Sequence, residues 1–339
     1  MKNSEVDIVV LWVDGNDPEW LKERMQYDNS IKNSGNLDSR FRDWGLMRYW
    51  FRGIEKNVNW YRKIFFVTWG HVPEWLDTSH PKLRIVKHSD YIPAEYLPTY
   101  NSNTIEMNLH RIEDLSENFI LFNDDIFVID EIREEMFFRN DQACDMLWAK
   151  TMVNYDLDGY VWHIVFNNMG IINKQFQGGT NNLKNFRKWI SVCYGKKNID
   201  NLLRLPFGRF SSYYDFHLPI AHKKSVFKLL WETYEKEFDR ASKNKFRTPM
   251  DFSHWVFRYW RLTKGEFHPC DITQMGKYLE YSEKLDYIVN CIEEKVGPVI
   301  VLNDTGCEEK EYFELCCKKT KEAFDMILPE KSSFEKASM

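Results

Sequence analysis

Carboxylates and carboxamides gather at the ends of apolar runs in this sequence. Asp14 and Asp17 follow the run 6–13, Asn123, Asp124 and Asp125 follow 119–122, and Asn303 and Asp304 follow 299–302. Oxygen ligands of this hardness suit Mg²⁺ or Mn²⁺, with substrate phosphates completing the shell. Each motif alone also reads as turn chemistry, because Asp, Asn and Gly favour turns. Glu106 and His110 stand one helical turn apart, so both can reach one ligand or simply form a surface pair. His217 precedes Leu218-Pro219, where proline fixes the approach to a helix and imidazole is the natural proton acceptor near neutral pH; a packed histidine is the plain alternative. Arg247, in Lys245-Phe246-Arg247-Thr248-Pro249, and the pair Arg40 and Arg42 can grip a phosphate bidentately or stand as ordinary surface arginines. No GxGxxG, Walker A, HExxH or GxSxG pattern occurs, so dinucleotide enzymes, P-loop ATPases, zinc peptidases and serine hydrolases lose their motif support.

These groups need a scaffold, and the first 130 residues read as alternating strands and helices. Apolar runs at 6–13, 63–68, 83–87 and 119–122 read as strands, and 46–54 follows a helical period. Asn103 is the expected N-cap of a helix through Leu115, with Ile105, Leu109 and Ile112 on one face and Glu106 and His110 on the other. Strands alternating with helices imply a parallel sheet whose ligands bind beyond the carboxyl ends of the strands. From about 131 to 295 charge-rich helical patterns dominate, at 223–238 and 251–262 above all, and His217 and Arg247 fall in this stretch. The run 299–302 repeats the pattern of 119–124, four apolar residues and then Asn-Asp, and is expected to bring the chain back to the first region. The expected organisation is an α/β core from 1–130 and 296–328, a mostly helical insertion or cap at 131–295, and a frayed tail at 329–339.

The 339 residues carry a net charge of −5, which argues against a dedicated nucleic-acid binder, since affinity for a polyanion comes from neutralised phosphates. A hydrophobic content of 43% is enough to build a core, and no stretch approaches the ~20 apolar residues of a membrane span. Neither a spanning helix nor a signal peptide is expected. Seven scattered cysteines without a CxxC pair fit reduced thiols better than a disulfide framework or a zinc ribbon. The aromatic content, 16%, is high, and large aromatics serve either as core or as platforms for sugar and base rings.

Four ordered blocks resemble the Stealth family. Asp7-Ile8-Val9-Val10-Leu11-Trp12-Val13-Asp14-Gly15-Asn16-Asp17-Pro18 is similar to the first. The second is carried by Arg40-Phe41-Arg42-Asp43, Arg62-Lys63-Ile64-Phe65, Val72-Pro73-Glu74-Trp75-Leu76, Tyr100-Asn101-Ser102-Asn103, Glu106, His110-Arg111-Ile112 and Phe122-Asn123-Asp124-Asp125. His217-Leu218-Pro219 with Phe246-Arg247 resembles the third block, and Leu302-Asn303-Asp304-Thr305 the fourth. One departure is Leu46, where the family commonly has an acidic residue.

The resemblance implies a sugar-1-phosphate transferase with a Rossmann-like core, as in bacterial capsule-polymer enzymes and the animal enzyme that tags lysosomal glycoproteins with GlcNAc-1-phosphate. It implies a UDP-hexose or UDP-N-acetylhexosamine donor, UMP as leaving group, a divalent metal (Mg²⁺ or Mn²⁺), and an oligosaccharide or polysaccharide acceptor, free or lipid-linked. Glu106, Asp125, His217 and Arg247 are then the catalytic set, Asp125 and Asp304 the metal ligands, and Asp14, Asp17, Arg40, Arg42, Asn103 and Asn303 the donor contacts. In the expected mechanism His217 accepts the acceptor hydroxyl's proton, Arg247 steadies the phosphoryl charge, and Glu106 is a second base or orients one. Such a protein is expected in the cytoplasm, with peripheral association with membrane-bound capsule machinery left open. A metal-dependent glycosyltransferase that releases UDP and a non-catalytic carbohydrate-binding protein remain alternatives. Trp12, Trp75 and Phe122 are expected to pack in the core, and Trp231, Trp255, Tyr259 and Trp260 lie in the helical stretch, where a polysaccharide acceptor can stack on whichever of them are exposed.

Overall fold

The strands that carry the site are apolar along most of their length, the pattern of a sheet covered on both faces. In a computed structural model that describes residues 5–27, 36–152, 159–176, 179–209 and 211–337, the strands in chain order are β1 (Val6–Leu11), β2 (Ile64–Thr68), β3 (Leu83–Lys87), β4 (Asn118–Phe122), β5 (Ile126–Val128), β6 (Phe138–Arg139), β7 (Gln142–Asp145), β8 (Ile220–Lys223), β9 (His268–Pro269), β10 (Gly276–Glu280) and β11 (Val299–Asn303). The central sheet has the order β3-β2-β1-β4-β8, with β1 to β4 parallel and β8 antiparallel at the edge. Side chains alternate between its faces: Ile8, Val10, Phe66, Ile120 and Phe122 enter one hydrophobic cluster, while Val9, Phe65, Val67, Phe119 and Leu121 enter the other. The polar interruption of β1, Asp7, is fully buried and bound by Arg62 at 2.9 and 2.6 Å and by the Ser116 backbone N–H at 2.7 Å.

The chain runs outward from β1 through β2 to β3 and then returns to place β4 on the other side of β1. A crevice opens at the carboxyl ends of the strands where the order reverses, the place where Rossmann-like sheets bind ligands. This is the α/β, Rossmann-like arrangement expected.

Local differences have physical causes. The helix expected from Asn103 to Leu115 is capped two residues earlier and cut short. Asn101 Oδ1 accepts from the Asn103 N–H at 3.1 Å, and the helix Ser102–Met107 stops where the Asn108 side chain donates to the Thr104 carbonyl at 2.8 Å. That side-chain bond competes with the helix's own ladder, and a short 3-10 turn, Leu109–Arg111, follows. The run at 299–302 does come back to the first region, but β11 joins β10 and, antiparallel, β5 in a second sheet. Within 131–295, helices such as Tyr160–Gln175, Lys224–Thr233 and Trp255–Lys264 surround β8, which completes the central sheet.

The described part of the tail, residues 330–337, is docked rather than frayed: Phe334 is buried against Phe51, and Glu335 binds Arg52 at 2.7 and 3.1 Å. Its charged composition hides one aromatic anchor and one acid with a waiting arginine. Trp12 and Phe122 are core, as expected, with Trp75 packed partly buried against them. Trp231, Tyr259 and Trp260 are buried as well, and Trp255 packs half-buried on the same cluster, so these rings support the fold and offer no open stacking surface.

Candidate active site

The end of β1, the turn after β4 and the end of β11 form the walls of a cleft of about 270 Å³. Trp12 and Val13 come from the first, Asn123, Asp124 and Asp125 from the second, Asn303 and Asp304 from the third. The segment Arg40-Phe41-Arg42-Asp43 closes one side, and Gly15 lets it approach: a Cβ there would lie 2.0 Å from the Phe41 carbonyl oxygen. The helix Ser102–Met107 brings Ser102 and Glu106, while His217 and Arg247 enter from the stretch 131–295. Thus Glu106, Asp125, His217 and Arg247 line one space.

Glu106 is buried, 6% exposed, yet faces this cleft. Burial lifts its carboxyl to about 7, and the charges of Arg247 and His217 only partly oppose the rise. Behind it, His254 Nε2 lies 3.7 Å from Glu106 Oε2, and His254 Nδ1 lies 3.1 Å from His222 Nε2. Burial holds His254 down at about 3 and His222 well below its ordinary range, so both imidazoles are neutral and Glu106 is not ion-paired with them.

His217 has φ 53°, in the left-handed region that a non-glycine residue adopts at a cost. Asp215 Oδ1 accepts its backbone N–H at 2.8 Å, and Arg258 lies 3.5 Å from the other Asp215 oxygen. His217 Nε2 lies 3.3 Å from Asp125 Oδ2. Partial burial disfavours the imidazolium, but Asp125, Asp215 and Glu106 outweigh it and raise His217 to about 9. Asp125 Oδ1 is buried without a hydrogen-bond partner among the described residues.

Arg247 donates to Ser102 Oγ at 2.6 Å and is fixed at its backbone by Asn36 Oδ1 at 3.1 Å. Across the cleft Arg40, itself solvent-exposed, is close enough for the two guanidiniums to repel. On the acidic side Asp124 is reachable by water but walled by protein elsewhere; that desolvation, then the charges of Asp125 and Asp43, raises it to about 7.

Other expected site residues have different partners. Asp304 is held by Arg42 at 2.6 and 3.0 Å and by Trp44 at 3.2 Å, so its two oxygens already accept three bonds from this chain's own donors. Arg42, stacked over Phe313, is committed in turn. Asn303 lines the cleft and donates to Thr305 Oγ1 at 2.9 Å. Asp14 and Asp17 are not brought into the lining: Asp17 Oδ1 caps the helix Pro18–Tyr27 through Glu19 and Trp20, and Asp14 accepts from Asn16 in the turn. Asn103 is turned away to Tyr160 and Asp251. His110 diverges from Glu106 and packs on Phe227 and Trp231. Sequence reasoning missed Asp215 and His254. An Asx turn two residues before a histidine was a readable signal for the first, whereas a lone histidine gave none for the second.

Comparison with known proteins identifies the family. Models of Stealth conserved regions 1, 2 and 3 match residues 5–32, 40–146 and 216–257, which contain all four converging residues. The chain is 41% identical over 342 residues to the capsular polysaccharide phosphotransferase WcwK of Streptococcus pneumoniae, covering 99% of this chain and 100% of the relative. It is 34% identical to the exopolysaccharide phosphotransferase cps2G of Lactiplantibacillus plantarum (98% and 96% covered) and 32% identical to the receptor polysaccharide phosphotransferase WefC of Streptococcus gordonii (98% and 99%). With near-complete coverage at this identity and three family regions in order, the chain belongs to the Stealth family.

Proposed function

We propose that this transferase moves hexose-1-phosphate or N-acetylhexosamine-1-phosphate from a UDP-sugar to a hydroxyl of a glycan acceptor, free or lipid-linked, in capsular or exopolysaccharide synthesis. The acceptor oxygen forms a bond to the β-phosphorus, the bond from that phosphorus to the bridging oxygen breaks, and UMP leaves with the electron pair. The hydroxyl proton passes to the protein. The observation that carries this reading is the convergence of Glu106, His217, Asp125 and Arg247 in one cleft at the β1/β4 crevice.

Glu106 is the better proton acceptor of the two read from the sequence. It faces the cleft, has no cationic side chain bonded to it, and titrates near 7, where a general base works best. His217, fixed between the Asp215 turn and Asp125, is placed to donate a hydrogen bond to a phosphoryl or leaving oxygen. Arg247, anchored on Ser102, brings its positive charge to the same cleft. Positioning and charge neutralisation are the main requirements of phosphoryl transfer.

The chemistry of the donor set fits a divalent cation. Asp125 Oδ1 is buried without a partner among the described residues, and Asp124 beside it is crowded by other carboxylates. No group of three or more His, Cys, Asp or Glu side chains among the described residues is arranged to hold a metal ion by itself, so a cation here would depend on substrate phosphates to complete its shell. Asp125 and Asp124 would hold it, and it would neutralise pyrophosphate charge.

Incubation with UDP-sugars, Mg²⁺ and acceptor oligosaccharide, followed by nucleotide analysis, tests the reading. UMP with a phosphodiester-linked product is expected; UDP with a glycosidic product would establish the glycosyltransferase alternative.

A further inference from the structure

Residues 181–209 turn the usual order of burial inside out. In the helix Lys197–Arg204 the buried residue is Asn201, whose amide donates to the carbonyls of Leu147 and Trp189 at 2.8 and 2.9 Å. Ile199, Leu202 and Leu203, spaced i, i+3 and i+4 on one face, point to solvent, with Leu203 64% exposed. Asn182 is buried likewise and donates to the carbonyls of Leu205 and Phe207 at 3.3 and 2.8 Å, which sets the exposed Leu183 beside the exposed Phe207. A helix that buries asparagine and exposes leucine costs apolar hydration along its whole outer face.

Charge identifies what covers this face. Residues 181–209 hold seven basic side chains, Lys184, Arg187, Lys188, Lys196, Lys197, Arg204 and Arg209, and one acidic, Asp200, in a chain whose net charge is −5. Lys184, Arg187, Lys196 and Arg209 are exposed, as the apolar residues of this stretch are. A second copy would bring the same positive charges face to face. A hydrated polyanion would satisfy the charges but leave the leucines in water. An anionic lipid surface answers both, because interfacial helices bury an apolar face at the headgroup boundary while basic side chains contact anionic lipid.

We propose that residues 181–209 are a peripheral docking surface for an anionic phospholipid bilayer. No helix among the described residues is long and apolar enough to cross a membrane, so attachment here is in the interfacial plane. The inference does not depend on which sugar phosphate the cleft transfers.

Vesicle flotation of the full chain tests it, with vesicles of phosphatidylcholine alone or phosphatidylcholine mixed with phosphatidylglycerol, at low and physiological salt. Two multiple variants accompany the wild type, Leu202→Ser with Leu203→Ser and Phe207→Ser, and Lys184→Gln with Arg187→Gln, Lys196→Gln and Arg209→Gln. The altered side chains are exposed, so both variants are expected to keep the wild-type circular dichroism and melting temperature. The wild type should float with the phosphatidylglycerol vesicles and much less with phosphatidylcholine alone. The serine variant should lose flotation at either salt, and the glutamine variant should weaken about fivefold for each charge removed. Failure of the folded wild type to float, or flotation unchanged by both variants, would overturn the assignment. So would a wild-type dimer in light scattering, abolished by the serine substitutions, without lipid binding; a second copy would then be the occupant.

Discussion

Glu106→Gln separates the cost of the buried acid from its use. The substitution keeps the shape of the side chain and removes its charge. At about 1.36 kcal/mol per pH unit, raising the carboxyl from 4.5 to about 7 corresponds to about 3 kcal/mol. The sign follows from proton counting. Between those pH values the folded protein keeps the proton that the unfolded chain has released, so stability is fully present below pH 4.5 and falls as pH rises toward 7. Glu106→Gln removes that loss. Urea unfolding of the ligand-free protein should therefore find the variant close to wild type at pH 4 and up to about 3 kcal/mol more stable at pH 8. Turnover should fall by about 10²–10⁴ if Glu106 takes the proton, and wild-type kcat/KM should show an acid limb near pH 7. A variant equally destabilised at both pH values would refute the electrostatic account. A stabilised variant with near-normal turnover would refute the base assignment and return the proton to His217.

Removing divalent metal with EDTA should abolish turnover, and Mg²⁺ or Mn²⁺ should restore it. Asp125→Asn should raise the Mg²⁺ concentration needed by at least about 10-fold. Asp304→Asn, read out by the same titration, should leave that requirement near wild type, because Asp304 is bound to Arg42; an equal shift in both variants would restore Asp304 as a ligand. Phe334→Ala should cost about 3–5 kcal/mol in chemical unfolding, the usual penalty for emptying a buried aromatic site; a loss below about 1 kcal/mol would mean that the tail contributes little to the fold.

The legible parts of the fold were those in which one segment carries its own signal. β1, β2, β4 and β11 are mainly apolar, and because both sheet faces are covered there the runs are nearly continuous and easy to see. β8, Ile220-Ala221-His222-Lys223, carries no such run; its place beside β4 comes from a tertiary pairing of Asn118 with Lys223 and Leu121 with Ile220. The helix after Asn101 shows the reverse error. The spacing of Ile105, Leu109 and Ile112 is helical, but the carboxamide of Asn108 breaks the backbone between them, and that break sends Glu106 to the cleft and His110 to Trp231. In the site, residue type was readable while the partner was not. Asp17, Asp125 and Asp304 look alike as acids at strand ends, yet the first caps a helix, the second faces His217 and the third holds Arg42.

The charges that line the cleft bear on what it binds. Arg42 and Asp304 neutralise each other at its edge. One side carries Arg40 and Arg247, the other Asp125 and Asp124, whose carboxyl is raised to about 7 by desolvation and then by the charges of Asp125 and Asp43. A simple anion suits the first side and a bare cation the second. A pyrophosphate carrying a divalent cation, the donor form under the proposed function, would complement both sides at once. A chain of net charge −5 would offer such a donor no general attraction, so its recognition would fall to this local separation of charge. Donor and metal should accordingly bind cooperatively, each tightening the other by the same factor.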